Sequence, residues 1–225
     1  MTTLLLALVL ATGAQAQPAA TSAAEKLDLR TVVDRMQKRY DQAKDFHARF
    51  SQTYGRAVVG RTTLSTGTIT FKKPGRMRWD YDKPEPRMFL SNSQALWLYE
   101  PTEKQAFKQD LKTSQLPAAL AFLMGKGKIV DEFDVTFATD AHTGRPGDYR
   151  LALTPKQPQS AYKSILFVVD SKEFLVRESL LVDSQGNTNR FVFDDLEVNS
   201  KVADSVFKWA PPAGVRVVDT GKIGK

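Results

Sequence analysis

The sequence predicts a mainly β (α+β) protein: an incomplete, strongly curved antiparallel β-barrel of about eleven strands with a helical lid over a hydrophobic cavity. Three observations carry this. From residue 46 onward, apolar residues recur with period two in short runs separated by Pro, Gly, Asn and Ser, the pattern of half-buried strands joined by turns. Neighbouring runs are so close along the chain that they pair as antiparallel hairpins. Only two segments have helical periodicity, too few to cover a flat sheet, so accumulated twist must curl, split or close it.

The chain begins with residues 1–16, which carry no charge and hold an apolar run from Leu4 to Ala11 ahead of Ala14-Gln15-Ala16, a small-x-small cleavage signature. They are expected to be a signal peptide cleaved after Ala16, although no Lys or Arg precedes the apolar run. That run is shorter than the roughly 20 residues that cross a bilayer. Residues 17–25, rich in Ala, Ser, Thr and Pro, are expected to form a disordered lead-in, 26–219 a single domain and 220–225 a tail.

A helix should follow the lead-in. Leu29, Val32, Val33, Met36 and Tyr40 share one face, Arg30, Asp34, Arg35 and Lys38 the other, and Asp28 is placed to cap it. Strands are then expected over 46–54, 66–72, 76–82, 87–91, 95–100 and 104–111. A second helix is expected over 114–125, with Ser114 as cap, Pro117 in the first turn, Gly125 as stop, and Leu116, Leu120, Leu123 and Met124 on one face. Strands resume over 133–139, 147–154, 162–170, 174–183 and 188–196, all in one meandering sheet. A Pro-Pro turn and a short strand close the domain.

Residues 76–82 are the most informative. Met77, Trp79 and Tyr81 point one way; Arg76, Arg78, Asp80 and Asp82 point the other, towards expected solvent. The concave face is expected to hold Ile69, Phe71, Met77, Trp79 and Tyr81, with Phe191 and Phe193. So many large apolar side chains under small helices suggest a cavity.

Catalytic and metal chemistry find little support. The chain has no cysteine, which removes disulfides, thiolate metal sites and a cysteine nucleophile. His47 alternates with Phe46 and Ala48 on a strand, and His142 lies in a loop-like stretch; neither has a second ligand at metal spacing. No phosphate-binding loop, dinucleotide fingerprint or Gly-x-Ser-x-Gly elbow occurs. Asp194-Asp195 reads as a solvated strand end. The net charge of +7 is interspersed with acids, with no block of five like charges, so solubility and weak steering are expected rather than nucleic-acid binding. A binding protein without cofactor is the reading.

Five stretches in order, Phe46-His-Ala-Arg-Phe-Ser-Gln52, Lys73-Pro-Gly-Arg-Met-Arg-Trp-Asp-Tyr81, Leu96-Trp-Leu-Tyr-Glu-Pro101, Leu153-Thr-Pro-Lys156 and Phe207-Lys-Trp-Ala-Pro-Pro-Ala-Gly-Val215, are similar to the LolA family of periplasmic outer-membrane lipoprotein carriers. The resemblance runs through nearly all of the mature length. It implies a periplasmic, monomeric chaperone whose cavity holds the acyl chains of lipoproteins. It also implies an inner-membrane lipoprotein-releasing ABC transporter that loads it and an outer-membrane lipoprotein receptor that unloads it. On this reading Ile69, Phe71, Met77, Trp79, Tyr81, Phe191 and Phe193 line the acyl-chain cavity. Leu29, Val33, Met36, Leu120, Leu123 and Met124 form the lid underside. Lys73 stands where the family has an Arg that latches the lid, and a lysine lacks the guanidinium's planar fork. The alternatives are a LolA-like lipid-sensing or envelope-stress regulatory module, and an envelope enzyme with a dispersed acid/base pair. A third, the outer-membrane receptor, would need an acylated cysteine that this chain does not have.

Overall fold

The computed structural model describes residues 27–92, 94–110, 127–139, 143–159 and 161–220. Helix α1 (Leu29–Gln42) starts where expected: the Asp28 carboxylate accepts from the Thr31 backbone N–H at 2.9 Å. Six strands follow: β1 (Asp45–Arg56), β2 (Arg61–Lys72), β3 (Arg76–Lys83), β4 (Arg87–Asn92), β5 (Ala95–Glu100) and β6 (Gln105–Asp110). A four-residue helix, α2 (Ile129–Glu132), leads into β7 (Phe133–Phe137), β8 (Tyr149–Pro155), β9 (Ser164–Val169), β10 (Val176–Val182) and β11 (Thr188–Val198). A 3₁₀ turn, Asp204–Phe207, and β12 (Arg216–Asp219) finish the order. The expected signal peptide, the 114–125 helix with Leu120, Leu123 and Met124, and His142 lie outside the described residues.

All twelve strands form one open, curved sheet in the order β12-β6-β5-β4-β3-β2-β1-β11-β10-β9-β8-β7. The mainly antiparallel architecture agrees with the sequence reading, but a single meander does not describe it. Two meanders, β1 to β6 and β7 to β11, are joined side by side because β1 pairs antiparallel with β11, with Phe50 opposite Phe193. The last strand adds parallel to β6. Neither contact is local in sequence, so neither leaves a hairpin signature.

Among the described residues, the apolar side chains separate into three clusters. In the first, Val32, Val33, Met36 and Tyr40 of α1 pack with Ile129, Phe133 and the inward residues of β8 to β10, among them Leu151, Ile165 and Phe167. The second lies on β1, β2, β3 and β11: Phe46, Ala48, Phe50, Ile69, Phe71, Met77, Tyr81 and Phe193. Leu196 and Val198 pack against both.

The third cluster corrects an expectation. Met88, Leu90 and Phe207, with Trp97, Tyr99, Val202, Val206 and Trp209 packed on them, sit on the convex side of the sheet. The face carrying Arg76, Arg78 and Asp80 is therefore covered by the C-terminal segment; only Asp82 of the four polar residues is exposed. Arg78 donates to the Val206 carbonyl at 2.9 Å and pairs with Asp80 at 2.7 Å. Arg76 and Lys72 both reach Asp204, at 2.8 and 2.5 Å, and the Arg76 guanidinium lies 5.8 Å from the Phe207 ring centre. A charged strand face is thus half-buried because each charge has a partner.

Candidate functional site

Register turns the inward residues of separate strands into rows across the sheet. Ala48 stands opposite Ile69, Ile69 opposite Trp79, Trp79 opposite Phe89, Phe89 opposite Leu98. A parallel row runs Phe46, Phe71, Met77, Ser91, Leu96, and another runs Phe193, Phe50, Gly67, Tyr81, Arg87. Such opposed side chains are the unit of sheet stabilisation. Here they make a continuous apolar face across β11, β1, β2, β3, β4 and β5.

Phe50 is its centre. Its ring makes edge-to-face contacts with Tyr81 at 4.9 Å, Trp79 at 5.2 Å and Phe191 at 6.0 Å between centroids. Trp79 also meets Phe191 at 5.3 Å and Phe71 at 6.2 Å, and Phe46 stacks on Phe71 at 4.7 Å. The packing requires Gly67. A Cβ there would lie 2.0 Å from the Asp80 carbonyl oxygen and 2.9 Å from Phe50 Cζ, so the bulge where β2 meets β3 has room for no side chain.

Within this face Ile69, Phe71, Met77, Tyr81 and Phe193 are buried, whereas Trp79, Phe191, Phe89 and Leu96 are only partly buried. The face is thus a packed floor with an accessible upper layer of three aromatics and a leucine. At its rim the Arg87 guanidinium covers the Tyr81 ring at 4.2 Å. Burial pushes the Tyr81 phenol above its usual range, and Arg87 opposes that shift.

All seven residues expected to line the cavity are thus brought together. The sequence reading did not include Phe46, Phe50, Phe89 and Leu96. Phe46, Ala48 and Phe50 alternate on their strand, so the signal was present, but the pairing of β1 with both β2 and β11 that centres Phe50 was not legible.

The lid expectation needs a correction. Val33 and Met36, with Leu29 partly buried beside them, do not close over Ile69 and Trp79; they belong to the other cluster, on β8 to β10. Val32 and Met36 have no exposed surface, so α1 is part of that core. Its C-terminal end is fastened from both meanders. The Tyr40 hydroxyl accepts from the Val176 backbone N–H at 3.0 Å, and burial pushes that phenol well up. Lys73, in the β2–β3 turn, donates through Nζ to the carbonyls of Tyr40 at 2.6 Å and Asp41 at 3.1 Å. These belong to the last turn of α1, where carbonyls lack helical partners and the dipole favours a cation. Burial lowers the Lys73 pKa, with Asp41 acting against the shift. Lys73 therefore holds the end of α1 through a point charge on two carbonyls.

Among the described residues no group of three or more His, Cys, Asp and Glu could hold a metal ion. His47 is half-buried, with Nδ1 2.9 Å from the Thr70 hydroxyl.

A family model described as outer membrane lipoprotein carrier protein LolA matches residues 41–210. The outer-membrane lipoprotein carrier protein of Chromobacterium violaceum is 30% identical over 179 residues, covering 78% of this chain and 82% of its own length. That of Nitrosomonas europaea is 28% identical over 225 residues, covering 97% and 99%. Among solved structures, an uncharacterized conserved protein from Thermus thermophilus superposes with a TM-score of 0.55 at 10% identity over 84% of this chain and 98% of that one, a likeness of fold. The chain belongs to the LolA family of outer membrane lipoprotein carrier proteins.

Proposed function

We propose that this protein is a periplasmic chaperone that holds the acyl chains of lipoproteins against the aromatic face and carries them from the inner to the outer membrane. The observation that carries the reading is the incomplete burial of Trp79, Phe191, Phe89 and Leu96 above a floor of fully packed residues, in a chain of the lipoprotein-carrier family. Exposing a sixteen-carbon acyl chain to water costs on the order of 12 kcal/mol at about 0.8 kcal/mol per CH₂. A shielded apolar face offsets that cost without chemistry.

In this account Ile69, Phe71, Met77, Tyr81 and Phe193 form the rigid floor, and Trp79 and Phe191 touch the cargo. Leu120, Leu123 and Met124, the other residues expected for the lid, lie outside the described residues. Leu29, Val33 and Met36 belong to a fixed wall, and Lys73 keeps the end of α1 in register with the β2–β3 turn. The N-terminal segment directs export. The partners are an acylated lipoprotein as cargo, an inner-membrane lipoprotein-releasing ABC transporter as donor and an outer-membrane lipoprotein receptor as acceptor.

The test is the intact mass of the tagged mature protein recovered from the periplasm. A one-to-one complex with an acylated lipoprotein is the expected result. Recovery with free phospholipid alone would instead favour a lipid-sensing module on the same fold.

A further inference from the structure

The β1–β2 hairpin outruns the sheet on its β2 side, while on its β1 side the β10–β11 turn follows it as far as Ala57, whose backbone N–H donates to Asn187 Oδ1 at 3.0 Å. Thr66 is the last residue of β2 with a β3 partner, and β11 reaches only as far as Gly55. The pair Arg56–Arg61 therefore stands about 20 Å beyond the Phe50 row, at roughly 3.3 Å per residue. Every residue from Arg56 to Leu64 is exposed, and the tip presents Val58 at 87% and Val59 at 57% exposure.

Two features of this tip are costly for an element meant to face water alone. Two adjacent valines contribute nothing to the fold's apolar clusters. Directly beneath them, Arg56 and Arg61 face each other across the hairpin, and like charges in opposed positions destabilise a strand pair. Among the described residues neither arginine has an acidic partner within ion-pair distance. No Asp or Glu occurs between Asp45 and Asp80 in the sequence; the nearest acids come from other segments, Glu85, Glu100 and Glu103, which line a pocket with Thr63 and Ser65 further down β2. Strand parity puts both arginines on the same face as Phe50 and Tyr81, so they continue the side that carries the aromatic cluster.

We infer that the β1–β2 tip is a membrane-contact element that seats on anionic phospholipid, with Val58 and Val59 entering the acyl boundary and Arg56 and Arg61 on headgroup phosphates. Apolar side chains backed by cations match the layered chemistry of a bilayer interface, and phosphate between the two guanidiniums relieves their repulsion. The seat is shallow and reversible, as two valines bury far less apolar area than an acyl anchor. The inference does not depend on what the aromatic face binds.

The experiment is flotation of the mature protein with protein-free vesicles of phosphatidylethanolamine and phosphatidylglycerol, against vesicles of phosphatidylcholine alone. The protein should float with the anionic vesicles and be released by high salt. The double variant Arg56→Gln/Arg61→Gln should bind at least tenfold more weakly, at roughly fivefold for each cation removed from the surface. Val58→Asp/Val59→Asp should abolish flotation, with an unchanged circular dichroism spectrum because the tip packs on no core. Failure of the wild type to float with anionic vesicles would overturn the inference. So would wild-type flotation by the valine variant, which would assign binding to the overall charge of +7, or association confined to native membranes, which would assign the tip to a membrane protein.

Discussion

Replacing Trp79 by Ala removes the side chain that joins the packed floor to the accessible layer above it. In the folded protein the change deletes ring contacts with Phe50 at 5.2 Å, Phe191 at 5.3 Å and Phe71 at 6.2 Å. A fully buried Trp→Ala change costs about 3–5 kcal/mol, and Trp79 is only partly buried, so a loss of about 2–3 kcal/mol is expected. A domain of this size typically has about 5–15 kcal/mol, so the variant stays folded. Its effect on cargo is separate. An indole giving roughly 50 Å² of apolar contact to an acyl chain is worth about 1.3 kcal/mol at about 25 cal/mol per Å², close to a tenfold change in affinity. The assay pairs urea unfolding with binding of a fluorescent triacylated lipopeptide. Trp97→Ala is the control: its ring meets Trp209 at 5.3 Å on the convex face, so it should cost stability without costing affinity. A folded Trp79 variant with wild-type affinity, or an equal loss of affinity in the Trp97 variant, would refute the placement of cargo on the concave face.

Three further outcomes follow from the geometry. Gly67→Ala forces a Cβ within 2.0 Å of the Asp80 carbonyl oxygen, which no side-chain adjustment relieves; a loss of at least about 2 kcal/mol is expected in chemical denaturation, and a neutral result would contradict the close approach. Lys73→Leu deletes two hydrogen bonds to the end of α1, about 1 kcal/mol each, and should raise amide exchange in its last turn while leaving the β4–β5 hairpin unchanged. Lys72 and Arg76 hold the Asp204 carboxylate down at about 2 from its ordinary 3.8. Because the folded value is depressed, the clamp's contribution is present above pH 3.8 and is lost as pH falls through about 2. Tryptophan emission, sensitive to the Trp97–Trp209 contact, should change across that window in the wild type and lose that step in Asp204→Asn, and added salt should weaken the effect because Asp204 is exposed.

Much of the fold was legible because its signals are local. Asp28 caps α1 as its position suggested, and the alternation of Met77, Trp79 and Tyr81 placed all three on one face. What could not be read was the choice of neighbour for each face. The stripe on α1 is clear, yet nothing in Val33 or Met36 says whether it meets β2 and β3 or β8 to β10; that depends on β1 pairing with β11 across the length of the chain. The convex cover was hidden for another reason. Val202, Val206, Phe207 and Trp209 come from a segment of turns and a single 3₁₀ turn, so they have no period, and the arginines and Asp80 beneath them look like a solvated strand face until Asp204 and the Val206 carbonyl are seen to pair with them. Phe50 combines both difficulties: its alternation is visible, its central place is not.

The two faces of the sheet are separated by one residue of register, which makes the central claim open to direct test. A photo-crosslinking phenylalanine analogue is placed at Phe89, on the concave face opposite Trp79, or at Tyr99, on the convex face against Trp209, in protein expressed with an outer-membrane lipoprotein. The account predicts an adduct with the lipoprotein from position 89 and none from position 99, with the position-89 adduct lost when the lipoprotein cannot be acylated. An acylation-independent adduct at 89, or an equal adduct from 99, would contradict it.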